Sequence, residues 1–182
     1  RFLMAEAGDE GIGFSSVPGF AGAARWAWRH WSVSLSADKG DILVWNPGHL
    51  RRYDRTAYGS FGIGLARQAG PMLLDLNLRR LDEAGTVLGA RFGPIMGMVG
   101  SVTHFAAFRA RYAGATGWRL SGRYQRGWTH VPAGGVRPEA DQLVSTSWSV
   151  DAMRSHVWQP GDELALRISQ PLRVARGGKG WL

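Results

Sequence analysis

Cysteine is absent from the chain. That excludes a disulfide scaffold and thiol chemistry, and it fits many compartments. Lysine is almost absent too: Lys39 and Lys179 are the only two. The basic excess, 22 Lys and Arg against 14 Asp and Glu for a formal net charge of +8, is therefore nearly all arginine. Such a balance suits nucleic acid or an anionic lipid surface. The arginines, however, are scattered singly, and no nucleic-acid partner is expected. No run of about 18 apolar residues exists, so no transmembrane helix is expected. A signal peptide is not expected either, because Glu6, Asp9 and Glu10 fall where its apolar run should lie. Apolar spacing at i, i+3 and i+4 is nowhere sustained, which argues against amphipathic helices. Tryptophan and glycine are abundant instead, at nine and twenty-six in 182 residues. That length suffices for one domain with a sizeable core. The start at Arg1 and the end at Gly180-Trp181-Leu182 suggest a piece of a longer chain.

Alternation with a period of two recurs along the chain. The stretch "GWRLSGRYQRGWTH" (117–130) splits into Trp118, Leu120, Gly122, Tyr124, Arg126 and Trp128 on one parity, and Arg119, Ser121, Arg123, Gln125, Gly127 and Thr129 on the other. Successive strand side chains point to opposite faces, so one face is largely apolar and the other polar. Similar segments run over 20–28, 31–36, 55–67, 74–79, 102–112, 143–152 and 163–169. The predicted architecture is all-β: about eight strands in an antiparallel up-and-down meander, forming all or part of an outer-membrane-type β-barrel. Residues 1–19 match no element, and one barrel domain is expected over 20–182. Short turns at 29–30, 68–70, 113–117 and 154–161 alternate with long loops at 38–54, 81–101 and 131–141, as in such barrels.

Alternation alone fits a soluble sandwich as well, with the apolar face inside and the polar face wet. Three features favour a barrel in lipid. Charged residues occur mid-strand on the polar parity, as a wet lumen allows. Aromatics sit near segment ends, as interfacial girdles require. The loop lengths alternate. The expected lumen-lining residues are Asp75, Arg79, Arg109, Arg119, Arg123 and Arg167. The expected lipid-facing residues are Leu74, Leu76, Leu78, Leu120, Tyr124, Trp148, Leu164, Leu166 and Ile168. Trp26, Trp31, Tyr112, Trp118 and Trp128 are the girdle candidates. Asp75, Asp151 and Glu163 are candidate cross-strand partners of the arginines, whose excess predicts a net positive lumen that prefers anions.

No catalytic, cofactor-binding or metal-binding residue is expected. Tyr58-Gly59-Ser60-Phe61-Gly62 has Tyr58 where a nucleophile elbow needs its first glycine. His30, His49, His104, His130 and His156 form no pair at i, i+2 or i, i+4, and no cysteine assists them. They read as turn or girdle residues. Asp82 and Glu83 would point opposite ways on a strand, a poor acid–base pair, and read as part of a solvated loop. Gly62-Ile63-Gly64 and Gly177-Gly178-Lys179-Gly180 lack phosphate-loop spacing.

Trp31-Ser32-Val33-Ser34-Leu35, "RLDEAGTVLGARFG" (80–93), "GWRLSGRYQRGWTHVPAGG" (117–135) and "GDELALRISQPLRV" (161–174) carry a resemblance. Together they resemble, in order through most of residues 20–176, the C-terminal region of bacterial autotransporter-type subtilisin-like serine peptidases. "LDEAGTVLGARFG" and "LRISQPLRV" are the more specific segments. The resemblance implies a translocator β-barrel in the bacterial outer membrane, downstream of a secreted protease passenger. It also implies a twelve-stranded barrel, of which about eight strands are present, with the C-terminal assembly-signal strand missing. The passenger's catalytic motifs are not in this chain.

The function expected is therefore anchoring and passage of an attached subtilisin-like passenger, without catalysis. The implied partners are outer-membrane lipid, the covalently attached passenger and the outer-membrane assembly machinery. The alternatives are a small soluble β-barrel or β-sandwich binding module with an arginine-rich polar face, and a soluble enzyme with an unrecognised site.

Overall fold

The computed structural model describes residues 16–45, 53–90, 100–132 and 141–176. It holds eight strands: β1 (Ser16–Trp28), β2 (Trp31–Trp45), β3 (Tyr53–Ala69), β4 (Met72–Glu83), β5 (Ser101–Ala113), β6 (Trp118–Val131), β7 (Asp141–Ser155) and β8 (Glu163–Arg176). All lie in one sheet, in sequence order, and every neighbouring pair is antiparallel. The protein is thus an all-β up-and-down meander. With 12 to 17 residues, the strands exceed the roughly 9–11 that cross a bilayer when tilted.

Among the described residues the sheet is not closed, because β1 and β8 do not pair with each other. It is nonetheless curled. Leu172 of β8 packs against a buried cluster of Ile42, Tyr58, Leu81 and Phe105, which come from β2, β3, β4 and β5. The face carrying this cluster is the concave one.

Several boundaries differ from the expectation. β1 begins at Ser16, inside the segment expected to match no element. Residues 38–45, read as loop, continue β2, and Asp38, Lys39, Gly40 and Asp41 stand opposite Ser60, Gly59, Tyr58 and Ala57. The polar Asp-Lys-Gly-Asp run has little strand propensity of its own, and cross-strand pairing overrides it. β4 likewise runs on to Glu83. Gly70 and Pro71, one step beyond the expected turn, connect β3 to β4, with Gly70 at φ 57 as a tight hairpin requires. β8 continues through Pro171 because the β7–β8 register slips between Thr146 and Trp148, the kind of irregularity that admits a proline.

Candidate functional site: the two faces of the sheet

Burial on this sheet is inverted relative to a soluble one. Along β3, Thr56, Tyr58, Ser60, Gly62, Gly64 and Ala66 are buried, while Ala57, Phe61, Ile63 and Leu65 between them are exposed. The register extends this pattern across the sheet. Val33, Leu65, Leu76, Phe108, Tyr124 and Trp148 stand side by side on six successive strands. Each keeps 37–48% of its surface exposed. On a soluble monomer such a continuous apolar strip would be exceptional.

Of the residues expected to face lipid, Leu76, Leu78, Leu120, Tyr124, Trp148, Leu164, Leu166 and Ile168 are exposed on this convex face. Leu74 shares it and is half-buried, opposite Arg67 and Ala110. Asp75, Arg79, Arg109, Arg119, Arg123 and Arg167 all fall on the concave face: Asp75, Arg109 and Arg123 stand side by side, Arg79 opposite Gly62 and Phe105, Arg119 opposite Met153, and Arg167 opposite Asp151.

The concave face carries ion pairs. Arg79 Nη2 lies 2.7 Å from Asp38 Oδ1, and both side chains are less than one-fifth exposed. Ser60 Oγ accepts from Arg79 Nε at 2.9 Å and donates to Asp38. Arg119 pairs with Glu163 and donates to Ser155 Oγ at 3.1 Å. Arg167 pairs with Asp151, which also accepts from Ser121 Oγ at 2.9 Å. Asp151 and Glu163 thus take the cross-strand role expected of them, and Asp75 stands directly opposite Arg109. Asp38 was missed, because its segment read as loop.

These pairs revise the expected electrostatics. Seven described arginines (25, 79, 109, 111, 119, 123 and 167) face six carboxylates (38, 54, 75, 83, 151 and 163) on the concave side. Among the described residues this face is near neutral, not strongly positive. The excess positive charge lies elsewhere.

Nor is the concave face polar throughout. Its long-loop end holds the Ile42–Tyr58–Leu81–Phe105 cluster, with Val44 and Leu88 packed against it. Asp82 and Glu83 do point opposite ways, but Glu83 is not solvated: it is 4% exposed. Its carboxylate accepts from Thr86 Oγ1 (2.8 Å), Leu88 N (2.8 Å), Gly89 N (2.7 Å) and Ser101 Oγ (3.1 Å). The segment Glu83-Ala84-Gly85-Thr86-Val87-Leu88-Gly89-Ala90 folds onto the concave face around that one side chain.

Aromatics mark both rims of the convex face. Trp31, Tyr112 and Trp118 sit at the short-turn rim and Trp128 at the opposite one, while Trp26 lies two residue pairs deeper than Trp31, opposite Val33. Trp28, not among the girdle candidates, stands opposite Trp31 at the same rim and is 70% exposed. Four arginine side chains lie over tryptophan rings, at 5.0–5.7 Å from the ring centres: Arg29 on Trp28, Arg67 on Trp31, Arg154 on Trp118 and Arg126 on Trp128. Alternation alone does not show these contacts, since two of the four pairs meet across strands.

Among the described residues no three His, Asp or Glu side chains converge as a metal site requires. His49 and the Gly177-Gly178-Lys179-Gly180 run lie outside the described residues. No protein-family model, curated protein or solved structure matches the chain.

Proposed function

We propose that this chain is a membrane-embedded β-sheet, part of a bacterial outer-membrane barrel that anchors an attached subtilisin-like passenger and gives it passage, with no chemistry of its own. The observation that carries the membrane part is the apolar row from Val33 to Trp148, exposed on six strands while the opposite face buries serine, threonine and glycine. Water would penalise that arrangement and a lipid interior would favour it. In lipid the free edges of β1 and β8 need partner strands, since unpaired backbone groups there cost several kcal/mol each. The protease passenger and the assembly machinery enter through the sequence resemblance. The soluble-module reading would need a second layer over the convex face, and no described element covers it.

The test is a pair of adjacent substitutions in the full chain refolded into lipid vesicles. Leu76→Arg places a charge on the convex face and should cost roughly 2–4 kcal/mol near the bilayer midplane. Asn77→Arg, on the concave face, should be tolerated. Equal loss for both would refute a two-faced sheet in lipid. The near-neutral lining should give the closed barrel little preference between anions and cations. The passenger role is tested separately, by whether a protease fused upstream reaches the cell surface only when the sheet is present.

A further inference from the structure

Three arginines stand where the apolar band meets the short turns. Arg29, Arg67 and Arg154 are exposed there, and each lies over a tryptophan. Arg67 is directly opposite Trp31, which is opposite Trp28, so two arginines and two tryptophans occupy the ends of three adjacent strands. A backbone hydrogen bond from Gln68 N to His30 O (2.7 Å) joins the β1–β2 turn to β3 and holds the group together. The tryptophans beneath these two guanidiniums are cross-strand neighbours, on backbones about 4.8 Å apart, which brings the two cations to one patch of the rim.

No carboxylate shares this rim of the convex face among the described residues. Asp162, the acid in the β7–β8 turn, directs its oxygens to the backbone N–H groups of Val157, Trp158 and Gln159. The opposite rim is mixed: Arg55 and Arg126 are exposed there and stand opposite no acid among the described residues, but Arg80 is paired to Asp82, and Lys39 stands two residues from Asp41 on the same face. One end of the apolar band is therefore purely cationic.

We infer that the short-turn rim binds the phosphate groups of anionic phospholipids, with Arg29–Trp28 and Arg67–Trp31 as the principal site and Arg154–Trp118 as a second. The inference rests on the membrane reading above. The tryptophan faces hold each guanidinium at headgroup depth, and its planar N–H fork matches phosphate oxygens. Charge complementarity selects an anionic headgroup over a zwitterionic one.

The experiment uses the full chain with vesicles of phosphatidylcholine alone and of phosphatidylcholine mixed with phosphatidylglycerol. Binding and insertion are measured at low and high salt. The phosphatidylglycerol vesicles should bind more tightly, and salt should weaken that gain. Arg67→Gln should reduce the gain about five-fold, and Arg67→Gln with Arg154→Gln by more, without altering insertion into phosphatidylcholine. Arg67→Lys should keep part of it. Arg109→Gln removes the same charge from the concave face and should leave the gain intact. Equal binding to both vesicles, or an Arg109→Gln effect as large as that of Arg67→Gln, overturns the inference while the membrane reading stands. Failure to insert into either vesicle overturns the membrane reading and the inference with it.

Discussion

Asp38 and Arg79 are 41 residues apart in the chain, and their side chains meet at 2.7 Å across the concave face, bridged by Ser60. The contact spans β2, β3 and β4, so it forms only when three strands are in register. Asp38→Ala should therefore destabilise the fold by about 1.5–3 kcal/mol, the range for hydrogen bonds to charged groups. A double-mutant cycle with Ser60→Ala should show non-additivity, because both side chains serve one guanidinium. Additive losses in thermal or denaturant melts would show the three groups to be independent.

Gly127 leaves room for a ring. A Cβ there would lie 2.7 Å from Phe105 Cε1 and 2.5 Å from Ser145 Oγ, and Phe105 and Ser145 are both buried. Gly127→Ala should cost about 1–3 kcal/mol through overpacking. In a Phe105→Ala background the cost should fall, since the ring is half of the clash. The comparison is read from unfolding midpoints, and an undiminished cost would assign the effect to the backbone.

Glu83→Gln is nearly isosteric and should still be damaging. Both carboxylate oxygens accept backbone N–H groups, Oε2 from Leu88 and Oε1 from Gly89. Either orientation of an amide sets its NH2 against an N–H donor. Leu88 also sits at φ 51, a conformation unfavourable for leucine that this turn must hold. The expected loss is about 1–3 kcal/mol. Amide exchange at Leu88 and Gly89 should accelerate while the centre of β6 stays protected. Uniform acceleration across the sheet would mean global unfolding instead.

The β7–β8 turn should loosen in acid. Burial alone would raise the Asp162 carboxyl, but hydrogen bonds from the Trp158, Gln159 and Val157 backbones outweigh it, with a contribution from the charge of His156, and hold it below the ordinary value. A carboxyl depressed in the folded state stabilises above its unfolded value, and the effect is lost as pH falls through the folded one. The change should thus begin below about pH 4 and complete at lower pH. Amide chemical shifts of Val157, Trp158 and Gln159 should move together in that window. Asp162→Asn should abolish the movement; persistence in that variant would place the titration elsewhere.

Alternation is a local property, and it made much of this protein legible. Leu74, Leu76 and Leu78 against Asp75, Asn77 and Arg79, repeated in segment after segment, specified strands, their two faces and a meander, because consecutive side chains on an extended backbone must point opposite ways. The same parity separated the exposed leucines from the arginines of the concave face. What the sequence did not disclose depends on partners far along the chain. Residues 38–45 became strand only because β3 offered a ladder to pair with. Asp38 became the partner of Arg79 only through that register. Glu83 looked solvated until the turn after it folded back and supplied its donors. Three of the four Arg–Trp contacts collected on one rim because the tertiary structure set that end of the strands level, and no local pattern encodes how strands align. Tertiary structure alone decided these points, since each is a free energy shared between strands and none belongs to a single segment.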